Sequence, residues 1–374
     1  MRSADVIVIG LGAMGSAAAW ALARRGARVL GLEQFHLGHT QGSSHGSSRI
    51  IRHAYYEHPD YVPLVRASWD RWLDLELATG EHLLTESPCL SLGPPGSEVV
   101  EGVRRSAAEH GLEVETLTPA EVMRRWPAFR LAEGLDCVVE RAAGVLAVDR
   151  CVAALASEAR RLGASLLEGV RVREWTSGPE GVTVRTEGGD FHAGRLVLTA
   201  GPWASSLLPG LPLTVMRQVV FWLQPADPGL FRRGRFPIFI AETPSGYFYG
   251  LPALDPRGVK VAQHYGAPEL RGPEEVRREV VDGDEAPVRA FVREHLPGAD
   301  GPRGGSSVCL YTLSPDRHFV IGRHPEAEGV TVAVGFSGHG MKFAPVVGEV
   351  LAGLSLEGRT EHRIELFHPV RFQK

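Results

Sequence analysis

A chain of 374 residues with a formal net charge of -4, 44% hydrophobic and 22% charged residues, has the composition of a folded enzyme and not of a disordered chain. Its length exceeds what one hydrophobic core usually serves, which predicts two domains, and its mild negative charge excludes nucleic acid as a general partner, since phosphate binding needs clustered positive charge. The four cysteines, Cys89, Cys137, Cys151 and Cys309, form no CxxC pair, which argues against a disulfide framework and against a metal site and fits a reducing cytoplasm.

The stretch from Ala4 to Ala23 is apolar enough to mimic a signal peptide, but Asp5 interrupts it and its glycines have a chemical explanation; no membrane span is expected. Asp5 to Ile9 reads DVIVI, a strand buried on both faces of a parallel sheet. It runs into GLGAMG, where Gly10, Gly12 and Gly15 have the GxGxxG spacing: a tight turn, room for a pyrophosphate at the backbone, and close helix packing. An alanine-rich helix from Ala13 to Arg25 through Met14 follows, with its N-terminus facing the phosphates, and Ala27 to Leu32 forms the second strand. Glu33, at the end of that strand, is placed to accept both hydroxyl protons of an adenosine ribose.

A nicotinamide dehydrogenase would continue with another helix and strand. Here residues 34–49, from Gln34, read QFHLGHTQGSSHGSSR, an extended loop that suits the long reach of FAD better than NAD. Tyr61 to Leu77 has the stripe of a core helix, and a second helix is predicted over Val152 to Leu162. Strands follow at Ser165 to Leu167, Val182 to Thr186 and Leu196 to Ala200, returning the chain to the nucleotide domain. Residues 211–221, 237–241, 246–251 and 259–264 then predict a largely antiparallel sheet. After short strands at Phe319 to Ile321 and Val330 to Val334, a helix is expected from Lys342 to Leu354. The fold class is therefore α/β and α+β: a discontinuous Rossmann-like FAD-binding domain (1–85, 145–215, 315–374) with a substrate domain (86–144, 216–314). Gly335, Ser337 and His339 miss a GxSxG nucleophile elbow by one residue, which disfavours a serine hydrolase.

Lysine occurs only at 260, 342 and 374, and arginine fills the other 37 of 40 basic positions. A lysine that survives such a bias inside the chain is a candidate for work that needs a compact, tunable ammonium.

Five segments together carry a resemblance: GSSHGSSRIIRHAYYEHPDYVPL from Gly42, FYGLP from Phe248, VKVAQH from Val259, SVCLYT from Ser307 and GFSGHGMKF from Gly335. The whole chain resembles the monomeric sarcosine oxidases and N-methyltryptophan oxidases of the glycine and D-amino acid oxidase superfamily. The resemblance implies FAD, molecular oxygen as acceptor, a small secondary amino acid as substrate, and a monomer. It implies that hydride leaves the N-methyl carbon of sarcosine, giving an imine that hydrolyses to formaldehyde and glycine, with hydrogen peroxide formed from oxygen. N-methyltryptophan, pipecolate or proline are alternative substrates, and a non-catalytic flavin-binding subunit is a rival of another class.

Carried over position by position, the resemblance makes Cys309 the thioether partner of the flavin. Arg52 and Lys342 become the carboxylate-binding pair, with Tyr249, Tyr311 and His264 lining the cavity. Lys260 matches a lysine that assists electron transfer to oxygen, and Arg49 and His45 match charged neighbours of the flavin ring. Gly338, His339 and Gly340 match a turn whose backbone N–H groups favour flavin reduction. With the cofactor contacts of Gly10, Gly12, Ala13, Met14, Gly15, Glu33 and Gln34 go Ser44, Ser48, Arg49 and Ile50 from the long loop. Met341 stands where some relatives have an aromatic, and Ala262-Gln263 where a Gly-Tyr pair occurs, both changes bearing on cavity volume.

Overall fold

The computed structural model describes residues 4–373. The apolar run at the amino end forms the strand Ala4–Ile9, whose side chains from Val6 to Val8 are fully buried. It lies between Gly189–Leu198 and Val29–Leu32, parallel to both, and Val330–Val334 and Ser165–Leu167 extend the parallel core outward on either side. The chain therefore supplies the strand beyond Val29–Leu32 only after an excursion of more than a hundred residues, which is why the nucleotide sheet does not continue directly after Glu33. An antiparallel hairpin, Val172–Gly178 with Gly181–Thr186, pairs with the first half of Gly189–Leu198, and Val320–Arg323 pairs with Val330–Val334.

The first helix, Ala13–Arg24, packs between Val148–Arg161 and Ala344–Glu357 in one apolar cluster. Its small residues set the spacing: a Cβ built on Gly348 would come 2.5 Å from the Ala17 carbonyl oxygen, so the two helices approach backbone to side chain. Tyr61–Thr79 buries Val62, Val65, Trp72 and Leu75 against the same cluster.

A nine-stranded sheet holds the rest of the core. Its order is Glu269–Leu270, Thr214–Leu223, Val259–His264, Gly246–Leu251, Ile238–Thr243, Cys89–Gly93, Asp136–Glu140 and Val114–Leu117, with Arg303–Leu313 also paired to Thr214–Leu223. Every pairing is antiparallel except Ile238–Thr243 with Cys89–Gly93, as the largely antiparallel expectation requires. A third, small sheet joins Ser48–Arg52 to Ala143–Ala147 and Leu84–Glu86.

Several boundaries differ from the sequence reading. The long loop ends two residues early, because Ser48 and Arg49 already pair with Ala147 and Leu146. The helix expected from Val152 starts at Val148, and the one expected from Lys342 begins as a tight turn at Met341–Phe343 before Ala344–Glu357. Arg303–Leu313 had no strand signal of its own: Gly304, Gly305, Ser306 and Ser307 are poor strand formers, and register against Thr214–Leu223 makes them one. Among the described residues no helix is long and apolar enough to cross a membrane.

Candidate active site

The nucleotide end is built by the turn after the first strand. Gly10 has φ +84°, and a Cβ there would meet the Thr199 carbonyl oxygen at 2.7 Å, so the turn tolerates only glycine. A Cβ on Gly15 would lie 1.8 Å from the Gly10 carbonyl oxygen, which places Gly15 behind the turn and not in the cleft. The helix that follows has no side-chain cap from Gly12; the Ala13 N–H donates to Ser44 Oγ at 3.0 Å, fastening the long loop to the helix start. Glu33 is buried, and its carboxylate accepts the Leu11 N–H at 2.8 Å and the Phe35 N–H at 3.0 Å.

From here an elongated cleft with about 1580 Å³ of empty space, its open mouth included, runs between the two large sheets. Gly10, Gly12, Ala13, Met14, Glu33, Gln34 and Ser44 line one end; Arg49, Tyr311, Gly338, Gly340 and Met341 line the other. A cleft lined by the glycine turn and helix start as well as by polar side chains fits a dinucleotide whose pyrophosphate lies at the helix. Thr199 and Trp203, which also line the cleft, were not singled out from the sequence; neither belongs to a motif.

In the middle of the structure, buried cations surround a thiol. Cys309 Sγ lies 3.6 Å from Arg49 Nη2 and 3.9 Å from the His45 carbonyl oxygen. Burial alone would raise the Cys309 pKa, but His45, Arg49 and Lys260 outweigh it and bring the thiol down to about 6. The other cysteines go the opposite way: burial pushes Cys137 up to about 11 and Cys89 up to about 12. His45 is buried, its ring held by the Gly42 carbonyl at 3.2 Å and lying 3.4 Å from Ser307 Oγ. The Arg49 guanidinium also donates to the carbonyls of Ser48 and Ser43, both at 2.9 Å.

Lys260, only 2% exposed, donates to the Gly46 carbonyl at 2.8 Å and the Ser48 carbonyl at 2.9 Å. Burial first, then the Arg49 charge, holds its pKa well below the usual lysine range, and the Trp222 ring lies 5.2 Å from the ammonium. Lys260 thus points into the protein from its strand. Ser48 accepts from Lys260 through its carbonyl and, at 3.3 Å, its Oγ, and Ile50 packs into an apolar cluster with Tyr249; neither lines the cleft.

Arg52, which does not line the cleft, leaves the strand Ser48–Arg52 and stacks on Tyr55 at 4.2 Å and Tyr56 at 4.7 Å. Its Nη2 donates to Glu57 Oε2 at 2.6 Å and its Nη1 to the Ala54 carbonyl at 3.1 Å. Lys342 donates to the His339 carbonyl at 2.8 Å and to Tyr55 Oη at 3.3 Å. Burial and the neighbouring Arg52 bring its pKa down to about 7. Burial would raise the Glu57 pKa, but Arg52, His339 and Lys342 bring it down to about 2, so the carboxylate stays charged. The Arg52 guanidinium thus already holds one carboxylate of the chain itself, with the Lys342 charge near enough to lower its pKa. The sequence reading passed over Glu57, although an acid five residues beyond Arg52 was a usable signal.

His264 Nδ1 lies 3.1 Å from Tyr311 Oη, and burial brings its pKa down to about 3, so the ring is neutral. Tyr249 sits edge-on to His264 with ring centroids 6.1 Å apart, its phenol pushed up to about 12 by burial. His339 Nδ1 lies 2.7 Å from Tyr55 Oη, and the ring is kept neutral by burial at a pKa of about 4. Gly338, at φ +84°, lies under the Tyr311 ring, where a Cβ would come 2.4 Å from the ring edge.

A nucleotide cleft of the Rossmann type, joined to an antiparallel sheet carrying neutral aromatics, with the buried cations Arg52 and Lys342 nearby, is the arrangement of a flavin-dependent oxidoreductase. The chain belongs to the FAD dependent oxidoreductase family, whose model matches residues 5–354. It is similar to a monomeric sarcosine oxidase of Bacillus sp. (strain B-0618), 40% identical over 370 residues covering 97% of this chain and 95% of that one. It is also similar to an N-methyl-L-tryptophan oxidase of Salmonella dublin, 35% identical over 372 residues and 99% of both chains. Among solved structures, the open form of NikD, an unusual amino acid oxidase essential for nikkomycin biosynthesis, superposes with a TM-score of 0.86 at 26% identity, covering 99% of this chain and 98% of that one.

Proposed function

We propose that this protein is an FAD-dependent oxidase of small secondary amino acids, with sarcosine as substrate and oxygen as electron acceptor, acting as a cytoplasmic monomer. The observation that carries the reading is the carboxylate site: Arg52 and Lys342 are both buried beside Tyr55, and Arg52 already holds Glu57, whose pKa the Lys342 charge also lowers. In this reading the substrate carboxylate takes the two-pronged guanidinium and the point-charge ammonium, which orients the rest of a small amino acid toward the cleft. Neutral His264, Tyr311 and Tyr249 line the cavity and offer no negative charge to hold an ammonium, which favours binding of the amine without its proton.

FAD, when bound, accepts a hydride from the substrate carbon and returns two electrons to oxygen, producing hydrogen peroxide. The imine left behind is hydrolysed to formaldehyde and glycine. Gly10, Gly12, Ala13, Met14, Glu33, Gln34 and Ser44 would hold the adenosine and pyrophosphate, with Gly338 and Gly340 presenting backbone N–H groups at the other end. Cys309, kept as a thiolate near neutral pH, is the residue suited to attach the flavin covalently. Lys260, whose pKa burial holds well below the usual lysine range, would take up a proton as negative charge develops on a reduced oxygen species in this water-poor region. The division into a cofactor domain (1–85, 145–215, 315–374) and a substrate domain (86–144, 216–314) belongs to the same proposal.

The test is anaerobic addition of sarcosine to the purified yellow protein. Bleaching of the visible flavin band, reversed by air with formaldehyde and peroxide released, is expected. A yellow protein that does not bleach with sarcosine but does with N-methyltryptophan, pipecolate or proline would move the substrate to a bulkier class. Bleaching by none of them would leave a flavin-binding protein without this activity.

A further inference from the structure

Four non-glycine residues adopt the left-handed backbone region among the described residues, and one of them, Tyr265, contacts two of the others, Arg317 and Ser337. Tyr265 (φ +66°) follows the last residue of the strand Val259–His264. Its Oη donates to the Ser337 carbonyl at 2.9 Å, and Ser337 lines the cleft beside Gly338. The Arg317 guanidinium lies 5.4 Å from the Tyr265 ring centroid on the outer side and is tied to Glu269 at 2.6 Å. On the inner side the Tyr265 ring packs 4.0 Å from the His264 ring and 6.1 Å from that of Tyr311.

A bulky residue in this conformation persists only where its surroundings over-determine it, and such positions gather at ligand clamps. Here the determinants come from two sheets: His264 from the antiparallel sheet, Ser337 from the turn that ends the nucleotide sheet. The ring therefore links the two sheets beside His264 and Tyr311, two of the residues assigned to the substrate cavity. Burial and nearby Glu57 both push its phenol upward, so it stays a neutral donor and lies within electrostatic reach of the carboxylate site.

We propose that Tyr265 is a specificity-determining residue: pinned at Ser337 and backed by Arg317, its ring roofs the substrate cavity beyond His264 and Tyr311 and restricts it to small amino acids. The proposal rests on the reading of Arg52 and Lys342 as the carboxylate site. A bulky group attached to the substrate nitrogen or α-carbon would have to displace the ring, breaking the Ser337 hydrogen bond and the stack on His264 together.

The experiment titrates the flavin-loaded protein with acetate and with indole-3-acetate, following the visible flavin spectrum, in the wild type and in Tyr265→Gly. Glycine adopts φ +66° without strain, so the variant removes the ring and leaves the backbone path intact. Tyr265→Asn, which also tolerates this conformation, is the second variant should the first lose flavin. Removal of the ring is expected to improve the affinity for indole-3-acetate relative to acetate by about tenfold or more, within what shape exclusion in a small pocket delivers. A ratio within about twofold of wild type, in a variant with full flavin content, overturns the roof. Sarcosine turnover is measured separately: a wild type that binds acetate and fails to oxidise sarcosine overturns the functional reading while the size ratio still decides the roof.

Discussion

Lys342 offers a direct measurement of whether the carboxylate site works as argued. Its ammonium is buried beside Arg52, which brings its pKa to about 7 in the ligand-free protein. The sign follows: the charge is present below about pH 7 and lost as pH rises through it, so a carboxylate ligand should bind progressively more weakly above neutrality. If only the charged form bound, the apparent Kd would rise about tenfold per pH unit above 7, or roughly 90-fold from pH 6 to pH 9. Arg52 remains charged throughout, so the loss levels off at the worth of one charge-assisted hydrogen bond, about 1.5–3 kcal/mol or roughly 10- to 150-fold. Acetate is the suitable probe because it carries no amine whose own titration would overlie the effect. Its Kd, read from the visible flavin spectrum across this range, should climb in the wild type and stay nearly flat in Lys342→Arg, whose guanidinium does not titrate. A flat wild-type profile, or an equal slope in the variant, would show that Lys342 does not contribute its charge to anion binding.

Three further outcomes test other parts of the site. Cys309→Ser should yield a yellow protein whose flavin is released on acid denaturation, whereas wild-type flavin stays with the chain; flavin extractable from both would end the covalent assignment. Lys260→Met should slow reoxidation of the reduced protein by air far more than anaerobic reduction by substrate, because the buried ammonium is argued to act on oxygen; equal slowing of the two half-reactions would contradict that role. Gly338→Ala adds a Cβ at φ +84° within 2.4 Å of the Tyr311 ring, so it pays about 1–2 kcal/mol for the backbone and displaces the ring as well. Its Tm should fall by more than that of Gly26→Ala, where φ is +81° and nothing lies within 4 Å. Comparable falls would mean that the Tyr311 ring yields at no cost.

The amino-terminal nucleotide fold was legible because its information is local. DVIVI, GLGAMG, an alanine-rich helix and Glu33 stand in order within about thirty residues, and each obeys a rule that needs no distant partner. The same holds for the strands of FYGLP and VKVAQH, whose alternation marks them, and for the rarity of lysine, which drew attention to Lys260 and Lys342.

What tertiary structure decided is whatever depends on residues far apart in the chain. Cys309 is an unremarkable thiol in sequence; its pKa of about 6 exists because the strand Arg303–Leu313 carries it to His45 and Arg49, more than 250 positions away. Tyr265 and Arg317 belong to no spacing rule, and the contacts of Tyr265 with Arg317 and Ser337 form only when the end of the antiparallel sheet meets the turn before the last helix. Local periodicity determines which elements form and which faces they bury. The electrostatics of a buried site depend on charges brought together through a low-dielectric interior, and no sequence window contains that distance.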